Sequence, residues 1–187
     1  MVLADAQTRP KPGQAAIEIQ IDRVAQLFDT LDPFPFQERD LDKKAEDFIV
    51  GWARELPKAG PIRIIVHLPL QEADSQHGRA LGGAVHSYFH YRADAVTKEL
   101  KELFRFGRYS LMVGLVTLAI CIATGQIAMT SLGNTDFAHF LNEGLVILGW
   151  VANWRPIEIF LYEWWPLVRR RRLYRRLAAA DVTLSAR

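Results

Sequence analysis

Three sets of residues have types and spacings that can do chemistry. His86 and His90, in "VHSYFHYR", stand four residues apart. On a helix that spacing turns both imidazoles to one side, where they can share a metal ion. His67 and His77 are the other histidines of the same half that could join them. A metal centre needs three or four ligands, and no glutamate lies between the pair as it does on a zinc-protease helix. The competing reading is therefore an aromatic-rich helix surface against a neighbour.

The second set is His139 and Glu143, again four apart, with Asn142 beside them. An ionisable group inside a membrane span points to a proton or ion relay. Glu143, however, lies close enough to the end of its apolar run to reach the interface or to pair with His139. One carboxylate in a two-span chain makes a poor transporter, although an oligomer could form a small channel with Glu143 near its mouth. The third set is "WWPLVRRRRLYRR", in which six arginines fall between positions 169 and 176 behind Trp164 and Trp165. Such density suits nucleic acid or an anionic membrane surface, and what precedes it decides between them.

The chain has no glycine-rich phosphate loop, no Gly-x-Ser-x-Gly elbow and no Cys-x-x-Cys. No catalytic residue and no cofactor are expected. The one cysteine, Cys121, lies in the most apolar run and reads as a small buried hydrophobe.

The elements that must position these groups follow from hydropathy and charge. No charged side chain occurs between Arg108 and Asp136. Residues 109–131 are long enough as a helix to cross a hydrocarbon layer of about 30 Å. After "SLGNTD" the chain turns apolar again over 137–154 and closes at Arg155–Pro156. Basic residues precede the first span and follow the second, while the short loop between them has none. The positive-inside rule then predicts a hairpin with both termini cytoplasmic. Small residues in the spans, namely Ser110, Gly114, Ala119, Ala123, Gly144, Gly149 and Ala152, suggest close packing of the pair or contact with another copy.

Residues 1–14 read as a flexible lead without a secretory signal, and 15–91 as a cytoplasmic α+β domain. "AIEIQID" and "PIRIIVHLP" are strand-like. Between them, one helical face carries Val24, Leu27, Phe28 and Leu31, and a second carries Leu41, Ala45, Phe48, Trp52 and Leu56, capped by Asp40 or Asp42. "DPFPF" could present Phe34 and Phe36 as a docking loop, but a stiff turn with the rings tucked in is the simpler reading. "QEADSQHG" reads as a polar loop. Residues 79–108 form a long helix leading into the membrane, with a stripe of Val85, Phe89, Ala93, Val96, Leu100 and Leu103. The expected fold is β-α-α-β-α with a small two-stranded parallel sheet. Two strands are a marginal sheet, which predicts self-association.

Residues 156–187 read as an interfacial amphipathic helix, broken or bent at Pro166, and a basic cytoplasmic tail. Trp154, Arg155, Trp164 and Trp165 would form the aromatic-basic belt, with Arg169, Arg170, Arg171 and Arg172 fixing the topology against anionic headgroups. That position turns the arginine cluster away from nucleic acid.

The stretches "LFDTLDPFPFQERDLD" and "GWVANWRPIEIFLYEWWPLVRRRRLYRRL" resemble those of a group of small bacterial two-span inner-membrane proteins with an N-terminal cytoplasmic domain. The group has no known activity, so the resemblance implies a bacterial inner-membrane setting and no catalytic residues. The expected function is a non-enzymatic membrane scaffold or accessory subunit that self-associates or joins a larger membrane complex. The alternatives are a metal-binding sensor or enzyme using His86 and His90, and a small oligomeric channel.

Overall fold

Alternating apolar residues build three short strands in the computed structural model of the chain, which describes residues 16–57, 60–133 and 135–186. β1 (Ala16–Gln20), β2 (Arg63–Leu68) and β3 (Asp181–Ala186) form one parallel sheet in the order β1-β2-β3. The expected two-stranded sheet is thus corrected to three strands. The third comes from the stretch read as a basic tail. Its sequence signal is brief, Val182 and Leu184 alternating with Thr183 and Ser185, and it follows an arginine-rich helix. It pairs the edge of β2 that two strands would have left bare. The expected lead at 1–14 lies outside the described residues.

The register sets Ile17, Ile64 and Val182 in one row and Ile19, Val66 and Leu184 in the next. Ile17, Ile64, Val66 and Leu68 are fully buried, whereas Glu18 and Thr183 on the opposite side are exposed. The sheet therefore has one core face.

The first expected helix is only a 3-10 turn, Val24–Leu27. Aspartates explain the correction. Asp29 accepts from the Leu31 amide at 2.9 Å, and Asp32 accepts from the amides of Phe34 and Asp40 at 3.0 and 2.7 Å. These side chains offer the backbone an alternative to helical bonds, and Leu31 is left 90% exposed.

The second helix, α1 (Lys43–Glu55), is capped by Asp42, whose carboxylate accepts from the amides of Lys44 and Ala45. Its buried residues are Ile49, Val50 and Ala53, while Phe48 is exposed, so the buried face is rotated from the expected one. Glu46 lies on that inner face and its ion pair, described below, fixes the rotation.

The expected polar loop after β2 contains a helical turn, α2 (Leu70–Ala73), and the start of α3 (Gln76–Leu132). Ser75 begins α3 early: its hydroxyl accepts from the Gly78 amide at 3.0 Å. The stripe read along this helix is present, with Val85, Phe89, Ala93, Val96 and Leu100 buried.

The chain divides into an α/β unit, residues 16–95 with 170–186, and a helical unit, residues 96–169. The helical unit contains the rest of α3, α4 (Asp136–Ala152), α5 (Trp154–Glu158), a π turn (Ile159–Glu163) and the start of α6 (Trp164–Ala178). Two helical stretches are long and apolar enough to cross a membrane: α3, and the continuous run Asp136–Ala178 that begins with α4.

Of the break or bend expected at Pro166, the break does not occur, since α6 runs through it. Pro166 has no N–H for a helical bond, but the widened π turn lies just before it, and there the Trp164 amide bonds the Tyr162 carbonyl. Nor is 156–187 one surface helix with a free tail: in the α/β unit Tyr174 and Leu177 of α6 are buried and β3 follows.

Candidate functional site

The α/β unit gathers its charged and phenolic groups around one carboxylate. Glu46 Oε1, on α1, accepts from Arg92 Nε and Nη2 of α3, each at 3.0 Å, and from the Tyr174 hydroxyl of α6 at 3.0 Å. The Arg92 guanidinium lies 5.5 Å from the Tyr174 ring centre, and Phe89 packs on that ring. Burial, followed by a hydrogen bond to Glu46, pushes the Tyr88 phenol far above the ordinary range, and burial likewise raises Tyr174. Burial disfavours the charge on Arg92, but its bond to Tyr174 and the charges of Tyr88 and Glu46 outweigh that and hold it protonated.

Arg92 and Tyr174 donate to Glu46 and Arg92 also bonds the Tyr174 hydroxyl, so the cluster is a clasp between three helices. Sequence reading missed it because its members lie far apart in the chain. The one local trace is an acidic residue on the apolar face of α1.

Asp40 lies beside this cluster. It is at the surface by area, yet partial burial, then the charge of Asp32, raises its carboxyl above the ordinary range. Asp32 is lowered instead, because its carboxylate accepts the amides of Asp40 and Phe34.

His86 and His90 do not share a ligand position. His86 Nε2 lies 2.7 Å from the Ala180 carbonyl oxygen, which ties α3 to the residue before β3. His90 Nδ1 lies 3.3 Å from the Asp94 carboxylate and is exposed. His67 is 3.7 Å from Glu18, and the His77 ring meets Phe36 edge-on at 4.7 Å. Among the described residues no group of three or more metal-ligating side chains comes together. The docking-loop pair divides: Phe36 packs on Phe28 at 4.8 Å, while Phe34 is 58% exposed. Phe36 and His77 also border a cavity of about 210 Å³.

In the helical unit, glycines of α3 receive asparagines from α4 and the residue after it. Asn153, 6% exposed, donates from Nδ2 to the carbonyls of Gly114 at 3.1 Å and Gly149 at 2.9 Å. Asn142 occupies the space beside Gly125 in the same way, and Leu118 fills the space at Gly149. The same three turns of helix separate the two glycines and the two asparagines, so the helices run antiparallel in one register. Cys121 is buried beside Gly149, as a small hydrophobe. Gly144, also singled out in the sequence, faces open space. His139 and Glu143 are exposed. The two asparagines are what sequence reading undervalued.

Beyond α4 the aromatic and basic residues bond and pack with their neighbours. Trp154 Nε1 donates to Glu158 at 3.0 Å, and Arg155 pairs with both Glu158 and Glu163. The Trp164 indole N–H donates to the Phe160 carbonyl at 2.9 Å, and its ring lies 5.0 Å from that of Trp165. Leu161, Tyr162, Trp165, Pro166 and Arg169 line a cavity of about 320 Å³. The arginines differ: Arg169 and Arg172 are exposed, Arg170 and Arg171 are half-buried. Farther along, in the α/β unit, Arg176 donates to the carbonyl of Pro57 at 2.8 Å.

No protein-family model, no curated protein and no solved structure matches the chain.

Proposed function

We propose that this chain is a non-enzymatic membrane scaffold or accessory subunit of the bacterial inner membrane. In this reading α3 and α4 cross the bilayer as a hairpin, the α/β unit is cytoplasmic, and the protein self-associates or joins a larger membrane complex. One observation carries it. Met112, Val113, Leu115, Val116, Ile120, Ile127, Phe140, Ile147, Leu148 and Val151 are each more than half exposed. Full burial of such a side chain is worth about 1.5–3 kcal/mol, so each forgoes roughly half of that or more in water, and exposed apolar surface of this kind marks a membrane or partner.

The sheet supports an even number of crossings. β2 precedes both long helices and β3 follows them, yet they pair. Chain segments that share a sheet lie on one side of a bilayer, so the crossings between them are even in number. This argument is independent of the positive-inside rule and agrees with it.

The test is alkaline carbonate extraction of membranes holding the full chain, with single cysteines introduced at Ser131 or Ser75 in a Cys121→Ser background. Retention in the pellet, labelling of position 131 from outside and of position 75 only after lysis are expected. Release into the supernatant, or the reverse labelling, overturns the membrane reading. A strict monomer that crosslinks to nothing in membranes overturns the scaffold.

A further inference from the structure

We propose that the cavity at the π turn binds one anionic phospholipid, with its phosphate diester on Arg169 and its glycerol and first acyl carbons against Leu161, Trp165 and Pro166. The inference rests on the membrane reading and adds a discrete site to it. Positions 161, 162, 165, 166 and 169 form one stripe of the helix, and the five side chains line one open hollow along it. At about 320 Å³ it is at the small end of ligand cavities and takes a headgroup rather than a whole lipid. The acyl chains would continue over the apolar helix surface, where Ile157 and Leu161 are exposed.

Charge selects the ligand. Among the described residues no hydrogen bond or ion pair holds Arg169, and the acids of the preceding helical turns, Glu158 and Glu163, are engaged by Arg155. An unopposed guanidinium presents paired donors that match phosphate oxygens. The Tyr162 hydroxyl and the Trp165 indole N–H add polar tips beside apolar bodies, as suits the lipid–water boundary.

The packing gives the depth. Gly107 meets Ile159 and Phe160, and Phe104 stacks on Phe160 at 6.2 Å. That level of α3 carries Arg105 and Arg108, the last charges before the long uncharged stretch. The hollow therefore opens where headgroups would lie.

The experiment is native mass spectrometry of the full chain in detergent, with phosphatidylglycerol, phosphatidylcholine or inorganic phosphate added. The wild type is expected to retain one phosphatidylglycerol per chain in preference to phosphatidylcholine, and no phosphate ion. Arg169→Gln should lower retention about fivefold, the effect of about 1 kcal/mol. Trp165→Ala should lower it without changing the charge. Arg172→Gln, on the same helix but outside the hollow, should change it less than twofold. Equal losses for Arg169→Gln and Arg172→Gln would mean diffuse attraction and overturn the site, as would retention unchanged by Arg169→Gln. Carbonate-resistant protein that fails this test sinks the lipid site alone, whereas carbonate release sinks the membrane reading beneath it.

Discussion

Asn153 and Gly114 interlock. The asparagine donates to the glycine carbonyl at 3.1 Å, and its Oδ1 lies 2.6 Å from where a Cβ at position 114 would stand. A methyl group there must displace a buried amide that also bonds Gly149. Gly114→Ala should therefore lower stability by about 1–3 kcal/mol. Gly144→Ala, which meets nothing within 4 Å, should be neutral or gain about 0.5–1 kcal/mol. Thermal unfolding of both variants in the same detergent compares them. Equal effects would show that the register does not matter.

β3 closes the sheet. A chain stopped after Ala180 loses the ladder to β2 and the Asp181 pairing with Arg63 at 3.3 Å. It should lose at least about 2 kcal/mol and become sensitive to protease within the α/β unit. If 181–187 were a surface tail, limited proteolysis of the shortened chain would match that of the full one.

Glu46 anchors two donors from different helices. Glu46→Ala should cost about 2 kcal/mol, because it strands a half-buried guanidinium and a buried phenol together. Tyr174→Phe should cost about 1 kcal/mol, since Arg92 keeps its carboxylate. Denaturant midpoints of the two single variants and the double variant give the coupling. Strict additivity would mean that the three groups do not act as one cluster.

Asp40 and Asp32 carry opposite pH signatures. The folded chain raises Asp40, so above about pH 4 it holds a proton that the unfolded chain has lost, and this group's contribution to stability falls as pH rises. The folded chain lowers Asp32, whose contribution is present above the unfolded value and disappears as pH drops through the folded one. Asp40→Asn should then stabilise the protein at pH 7 and lose that gain near pH 3, while Asp32→Asn should destabilise it at pH 7. Unfolding midpoints at the two pH values decide it. A gain for Asp40→Asn that is the same at both would disprove the electrostatic cause.

The elements that sequence reading found are those with long periodic signals. The uncharged run from 109 to 131, the stripe from Val85 to Leu103 and the apolar alternation of β1 and β2 each repeat often enough to be read locally. β3 does not, because an edge strand shows its pattern in few residues and Leu184 is itself 37% exposed. The 3-10 turn at Val24–Leu27 was misread because its apolar spacing is helical while Asp29 and Asp32 bond the backbone elsewhere. Among the candidate groups, four-residue spacing was sound for placing His86 and His90 on a helix. It carried no information about the Ala180 carbonyl that engages His86. The Glu46 clasp joins residues from three parts of the chain, and nothing local announces it.

The pairing of β3 with β2 also orders the birth of the protein. A ribosome makes β2 before α3 and α4, and β3 only after them, so the sheet edge stays open until both long helices have been made. If the two apolar helices cross a bilayer as proposed, a nascent chain that threads just one of them would leave Asp181–Ala186 across it from its partner. Its α/β unit would then keep a bare edge of unpaired backbone groups. On the proposed membrane reading, completion of a six-residue strand would report whether both helices were inserted.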